Sequence, residues 1–435
     1  MKRIINWMLA VALALCSLTT RAELVIEITK GQNDAVPIAV VPFGTQGAVK
    51  PSLDIAMVIT NDLLLSSRFA PLERRDMIEQ PTYGDKLQFS DWRAVNCNYV
   101  LVGRAVSSGA DQFNIQFALY SALNTQKLLE LQIPANAANL RRVAHRISDI
   151  VFEQITGIPG VALTRIAYVK VEGTAPNYSY QLVVGDADGA NPITLVKSAD
   201  PIMSPAWSPD GLSLAYVSFE NKAAAIYVKS LQTGDTRKVS ARSGINGAPA
   251  WSPDGKYLAL TLSRKDGDVD VYTLELATQM LTRITYDSGI DTEPVWSVDG
   301  SKLYFTSDRS GSAQIYEASV NDSQHLPKRI TFDGNYNARP RISPDGKQLA
   351  MVHQEGSNFN IAMQDLKSGS LQTITHGRQD ESPSFAPNGA QLVFATQGRG
   401  RGIFVLVATD GRGAHPLSDT AGDIRDAAWS PLPRK

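Results

Sequence analysis

Cysteine is nearly missing from this chain of 435 residues: there are two, Cys16 and Cys97. Cys16 falls in an apolar leader, so a chain that has lost the leader keeps one thiol and can form no internal disulfide. Packing must then hold the fold. Cys97, in "AVNCNYVLVG" ahead of an apolar strand, reads as a buried, inert thiol. An excess of charge is also absent, with 42 Lys plus Arg against 43 Asp plus Glu. No whole-molecule field recruits nucleic acid or anionic lipid. The five histidines sit in separate segments without metal-ligand spacing, so neither metal nor cofactor is expected. No GxSxG elbow, P-loop or dinucleotide fingerprint occurs, and "GRGRG" at 398–402 is a basic turn with no helix behind it. An enzyme has no constellation here to rest on.

What is present begins with "MKRIINWMLAVALALCSLTTRAELVIEI". Two cations precede an apolar run from Trp7 to Leu18 that is shorter than the ~20 residues a bilayer span requires. Thr20-Arg21-Ala22 supplies small residues at a cleavage site, so residues 1–22 read as a secretory signal removed after Ala22. The mature chain is then expected to have no transmembrane segment.

Two halves follow different patterns. Residues 23–160 alternate strands with helices and predict a small α/β domain, helices laid on a mixed β-sheet. "PIAVVPF" is a short strand, and Ile55, Val58, Ile59 and Leu63 recur at helical spacing behind Ser52 as a capping serine. "YVLVGRAV" and "FNIQFALY" are strands joined at "SSGAD", and a helix from Leu140 buries Val143, Ala144, Ile147 and Val151 with His145 on its polar side. "TGIPGVALT" breaks that helix and marks the domain boundary.

From residue 165 to 435 helices vanish and a cycle takes over. "PAWSPDG" at Trp207 and Trp251 is followed by "PVWSVDG" at Trp296, "PRISPDG" at Ile342, "PSFAPNG" at Phe385 and "AAWSP" at Trp429. Successive anchors lie 44, 45, 46, 43 and 44 residues apart. A period of that length carrying four short strands predicts β-propeller blades. Proline and Asp-Gly set a tight turn, and the aromatic packs between sheets, so the repeated letters are architecture and Asp210, Asp254, Asp299 and Asp345 receive no catalytic role. Three strands precede the first anchor and one strand follows the last turn. Together they complete a blade, giving a six-bladed propeller closed by its C-terminal strand.

A propeller offers one privileged place, the mouth of its channel, formed by residues leading into each innermost strand. By repeat position these include Met203, Ser204, Asn246, Gly247, Ala248, Thr292, Glu293, Arg339, Glu381 and Asp426. Their side chains vary inside a constant frame, as expected of a surface shaped for a partner. A periplasmic propeller enzyme or a glycan-binding module using the central channel is the alternative, although these positions hold no aromatic for a sugar to stack on.

The leader, the domain with "PIAVVPF" and "VFEQITGIPGVALTRIAYV", and repeats such as "IMSPAWSPDG", "NGAPAWSPDG" and "DTEPVWSVDG" together resemble the TolB family of the Tol-Pal cell-envelope system. The resemblance spans the mature chain. It implies a non-enzymatic periplasmic adaptor supporting outer-membrane integrity and constriction at cell division. It further implies that the mouth binds the peptidoglycan-associated lipoprotein, through "MSP", "NGAP" and "TEP", that some bacteriocins exploit the same mouth, and that the extreme amino terminus binds TolA. That terminus begins at Glu23; Leu24, Ile26 and Ile28 face one way in an extended strand while Val25, Glu27 and Thr29 face the other. The polar "KGQNDA" behind it has the makings of a hinge, which suits a strand that adds itself to another protein's sheet.

Overall fold

The structure, a computed structural model, describes residues 35–263, 267–321, 326–398, 400–417 and 422–433. The expected signal segment and the expected partner-binding residues Glu23 to Ile28 lie outside the described residues.

The amino-terminal domain is built on a sheet of β1 (Val36–Val40), β2 (Gly44–Gln46), β3 (Phe69–Pro71), β4 (Tyr99–Ser107), β5 (Gln112–Ser121) and β6 (Gln126–Asn136). The order is β3-β1-β4-β5-β6, with β2 paired to β4; β1 runs parallel to β3 and β4, while β4, β5 and β6 are antiparallel. Alternation puts Phe113, Ile115, Phe117 and Leu119 of β5 on one face, where they pack under α1 (Ile55–Leu65) and α3 (Leu140–Thr156). The opposite face carries Val100, Val102 and Ala118, covered by Trp92 of the short helix α2 (Phe89–Ala94) and by Cys97. Cys97 Sγ donates to the Tyr99 carbonyl, and burial pushes its thiol up to about 11, which leaves it a poor nucleophile.

Two local expectations are corrected. The cap of α1 is Asp54, whose carboxylate accepts from the Met57 N–H at 3.0 Å, and Ser52 lies before the cap. The apolar periodicity marks the buried face but not the residue at which helical φ/ψ begins. His145 is not on a polar side: it is 3% exposed and its Nδ1 lies 2.8 Å from Asp62 of α1. Helix α3 is covered by its own sheet on one side and by the propeller on another, so fewer of its positions face water than a one-sided helix would offer. Burial opposes the charged form of His145, but the carboxylates of Asp186 and Asp62 outweigh it and carry the imidazole up to about 10.

Six four-stranded sheets form the second half. Blade 1 takes its innermost strand from the end of the chain: Asp423–Trp429 pairs antiparallel with Arg165–Thr174, outside which lie Asn177–Asp186 and Ile193–Ser198. The other innermost strands are Ile202–Trp207, Asn246–Trp251, Asp291–Trp296, Asn337–Ile342 and Glu381–Phe385, in blades 2 to 6.

The anchor letters do more than turn the chain. Ser208 Oγ donates to Asp210, accepts from the Ser213 N–H at 2.9 Å, and so ties both ends of a turn whose Gly211 sits at φ 70°. The same serine–aspartate pairing recurs at Ser252, Ser297 and Ser343, and it survives in the turn where Val298 replaces proline. Three of the four anchor tryptophans also reach into the preceding blade: Nε1 of Trp207, Trp251 and Trp296 donates to the carbonyls of Ala428, Ala206 and Ala250 at 2.9, 3.1 and 3.0 Å, while that of Trp429 donates to the Thr164 hydroxyl at 2.7 Å. Ile342 and Phe385 have no such donor, so those two seams lack this bond and are joined instead by other contacts such as Asn337 Nδ2 to Gln314 at 2.9 Å and Arg339 Nη1 to Ser382. Trp296→Phe is therefore expected to cost about 1 kcal/mol by removing one hydrogen bond between blades, with the fold retained, as thermal denaturation would register.

The amino-terminal domain sits on the propeller face that carries the anchor turns. Gln391 Nε2 donates to the Leu65 carbonyl at 2.7 Å, Asn388 to the Pro159 carbonyl at 2.9 Å, and Arg68 pairs with Asp410 at 3.7 Å. Leu65 and Val161 pack on an apolar cluster that includes Tyr168, Leu406 and Trp429. Among the described residues, these contacts leave the other face, where the innermost strands begin, uninvolved.

Candidate binding site at the propeller mouth

Every innermost strand enters its blade through a β-bulge. The register shifts between Met203 and Ala206, and at the corresponding places in the other five blades. The residue inside each bulge is left-handed: Ser204, Ala248, Glu293, Arg339, Ser382 and Asp426 have φ between 45° and 56°. Five of the six precede proline, which disfavours the right-handed helical region for its predecessor and removes a ladder N–H. Such a conformation in a non-glycine residue costs about 1 kcal/mol or more. Because alanine and serine adopt it as well as Glu293 and Arg339, the bulge belongs to the frame. What differs from blade to blade is the side chain it projects toward the axis.

Four of those side chains converge. Arg339 Nε lies 3.1 Å from Glu293 Oε1 in blade 4, and its Nη1 bonds Ser382 of blade 6, with Asp426 of blade 1 at 3.6 Å and Glu381 at 3.7 Å. Burial would lower the guanidinium pKa, but Glu293, Asp426 and Glu381 outweigh it and raise it. The carboxylates are themselves anchored. Glu293 Oε2 accepts from the Thr306 hydroxyl and from the Arg339 N–H, both at 3.0 Å, and Asp426 Oδ2 accepts from the Ser204 N–H at 3.1 Å. The hub stitches blades 2, 4, 5, 6 and 1 around the channel entrance.

The remaining predicted mouth residues are placed as follows. Met203 is exposed; Gly247, Ala248 and Thr292 are half-buried, and Thr292 Oγ1 lies 3.4 Å from Thr261 Oγ1. Asn246 is corrected: it is 1% exposed, and its amide is spent on Ser240, the Arg242 N–H and the Arg242 carbonyl, ordering the loop beneath the rim. Repeat position located the strand but not which way its first residue turns. Ile245 beside it is the exposed one.

Several mouth features have no signature in the repeats. Arg341 stands where the other blades carry Ala206, Ala250, Val295, Ser384 and Ala428, and its Nη1 donates to the Pro340 carbonyl. A cavity of about 450 Å³ opens between blades 5, 6 and 1, lined by Tyr336, Phe359, Glu381, Arg401 and Arg425 among others. Arg401 reaches it because Gly402 lets the hairpin approach the Ile424 carbonyl, which a Cβ would meet at 2.2 Å. Loops entering blades 4 and 5 expose Tyr286 and Phe332, each ring covering an arginine, Arg283 at 4.3 Å and Arg329 at 5.2 Å. The mouth therefore has an apolar arc over blades 2 to 5, with Met203, Ile245, Tyr286, Ile290 and Phe332 exposed, and a charged remainder.

The TolB amino-terminal domain family matches residues 24–128, and the TolB beta propeller domain family matches residues 152–433. The chain is 42% identical over 437 aligned residues to the Tol-Pal system protein TolB of Xanthomonas oryzae pv. oryzae, covering 99% of both chains. It is equally similar, at 42% and 99%, to the Tol-Pal system protein TolB of Xanthomonas euvesicatoria pv. vesicatoria. Among solved structures, TolB from Acinetobacter baumannii superimposes with a TM-score of 0.84 at 39% identity, over 92% of this chain and 97% of that one.

Proposed function

This chain belongs to the TolB family of Tol-Pal system proteins, and from that membership we propose an adaptor that holds two envelope partners at once. It is a non-enzymatic component of the Tol-Pal system, and its setting is the periplasm. No helix among the described residues is long and apolar enough to cross a membrane. In this reading the leader is cleaved after Ala22, residues 23–160 form the first domain, and residues 165–435 form the propeller.

The peptidoglycan-associated lipoprotein binds the mouth, and the amino-terminal segment from Glu23 to Ile28 binds TolA, so that the chain bridges outer-membrane attachment to the inner membrane during constriction. Bacteriocins that recruit the chain use the same mouth. The observation that carries the lipoprotein reading is the ring of equivalent bulges, constant in backbone and variable in side chain, on the face the amino-terminal domain does not occupy. An apolar arc beside a charged hub supplies both the area that excludes water and the charges that fix orientation in a protein–protein contact.

The test is a pair of titrations on one mature chain, against the soluble domain of the lipoprotein and against the partner domain of TolA. Met203→Asp places a charge on the apolar arc and is expected to weaken lipoprotein binding about tenfold, or ~1.4 kcal/mol, with the melting curve unchanged. Deleting residues 23–30 is expected to abolish TolA binding and keep lipoprotein affinity within about threefold. Equal lipoprotein affinity for Met203→Asp moves the contact off this arc, and a folded deletion that still binds TolA removes the tether.

A further inference from the structure

Where the amino-terminal domain meets blade 1, four aspartates gather under cover: Asp62 of α1, Asp149 of α3, and Asp186 and Asp188 of the turn after Asn177–Asp186. Two cations answer them, Arg141 and His145, both on α3. Arg141 Nη2 bonds Asp188 and its Nε lies 3.4 Å from Asp186. Asp149 is committed elsewhere, accepting the N–H groups of Ala162 and Leu163 in the interdomain linker at 2.7 and 3.1 Å. That leaves Asp62, Asp186 and Asp188 against one guanidinium and one imidazole. With His145 neutral the carboxylates exceed the cations, and an excess of buried negative charge must be met by a proton or by a metal ion.

The geometry favours a cation held by more than one of these residues. Asp62, His145 and Asp188 each bring one ligating atom within 4.8 Å of the other two. They come from three separate elements on two domains, so their approach is not a by-product of one helix or turn. His145 is 3% exposed, yet its Nε2 has no hydrogen-bond partner, the nearest carboxylate being Asp186 at 3.8 Å. Nδ1 is the ring atom beside Asp62, at 2.8 Å, and Nε2 faces Asp186, so the imidazole has a carboxylate at each nitrogen and a neutral ring has one proton to share between them. His145 lines a cavity of about 500 Å³ together with Arg141 and Asp186, beside the cluster. One imidazole and two carboxylates suit a borderline-soft divalent ion with a further position open for water. Ser148, which donates to Asp62 at 2.5 Å, and Arg141, which holds Asp188, would orient the ligating carboxylates from behind.

We propose that Asp62, His145 and Asp188 form a zinc-class metal site that joins the amino-terminal domain to the first blade. Metal bound there bridges the domains at the seam between α3 and blade 1, because Asp62 and His145 belong to one domain and Asp188 to the other. The site is distinct from the mouth, which lies on the opposite propeller face.

The experiment is calorimetric titration of the metal-stripped mature chain with Zn²⁺, with Ca²⁺ and Mg²⁺ as hard-cation comparisons, and thermal melts with and without each ion. One zinc per chain is expected, with a rise in melting temperature that Ca²⁺ and Mg²⁺ do not reproduce. His145→Gln and Asp188→Asn are each expected to weaken zinc binding about tenfold or more and to remove the zinc-dependent rise. If His145→Gln fails to fold, Asp188→Asn decides alone, because Asp188 lies in a turn and not in a helix core. Absence of stoichiometric zinc binding, or zinc affinity unchanged in the variants, assigns the positive charge to a proton on His145 and overturns the proposal.

Discussion

Removing residues 424–435 is expected to leave a chain that is insoluble or melts more than about 10 °C below the full-length protein, although only the terminal segment is lost. The segment is the innermost strand of blade 1, and Ile424, Ala427 and Trp429 within it are buried. Truncating a buried tryptophan alone costs about 3–5 kcal/mol, a large part of the ~5–15 kcal/mol by which a domain is stable. Here the loss is compounded. Trp207 of blade 2 loses the Ala428 carbonyl, Ser204 loses Asp426, and Arg165 loses both of its contacts with Ser430, at 2.8 and 3.0 Å. Strand Arg165–Thr174 would become an unpaired edge facing the channel, the kind of edge that recruits other chains. Trp429→Ala offers the graded version, with a drop of about 4 kcal/mol in denaturant unfolding. A truncated chain that stays monomeric and melts with the full-length protein would show that the ring closes without its clasp.

The second large effect is expected from Arg339→Ala. The substitution strips the counter-charge from Glu293, Asp426 and Glu381 while leaving in place the N–H groups that hold Glu293 and Asp426, so like charges stay together at the channel entrance. Deleting one member of a buried ion pair costs about 3–5 kcal/mol; the hub side chains are between a fifth and a half exposed, so solvent screening reduces the figure to about 2 kcal/mol. Thermal melts at low and high salt provide the readout, since added salt relieves the repulsion and should narrow the gap. Glu293→Arg should behave similarly. Its melting curve should fall, because the new arginine would face Arg339 and release the Thr306 hydroxyl. Pairing Arg339→Met with Glu293→Met should recover part of the stability lost in Arg339→Ala, since it removes charge of both signs together. An unaltered melt for Arg339→Ala would mean that the hub serves the partner alone.

These two effects differ in how far the sequence announced them. The clasp was legible because a repeat is a local statement made many times over: serine, aspartate and glycine close the same turn at residues 208–211, 252–255 and 297–300, and counting the turns against the strands leaves one blade to be completed from both ends of the chain. The equivalence of Glu293 and Arg339 was legible for the same reason. Their union with Ser382 and Asp426 was not, since a repeat says which residues occupy like positions and nothing of how far each side chain reaches across the ring. Nor does any local pattern announce that Ser204 and its five counterparts turn left-handed, or that Asn246 points down while Ile245 points out. The cluster of Asp62, His145 and Asp188 is the extreme case. These residues stand far apart in the chain, on two helices and a propeller turn, and His145 reads as a solvent-facing helix position until a second domain covers it. By itself the sequence determined the blades, their number and their closure, because turn chemistry and strand alternation act over a few residues. Only the tertiary structure decided which charges meet, because Coulombic pairing depends on distance in space and on the water that folding has removed.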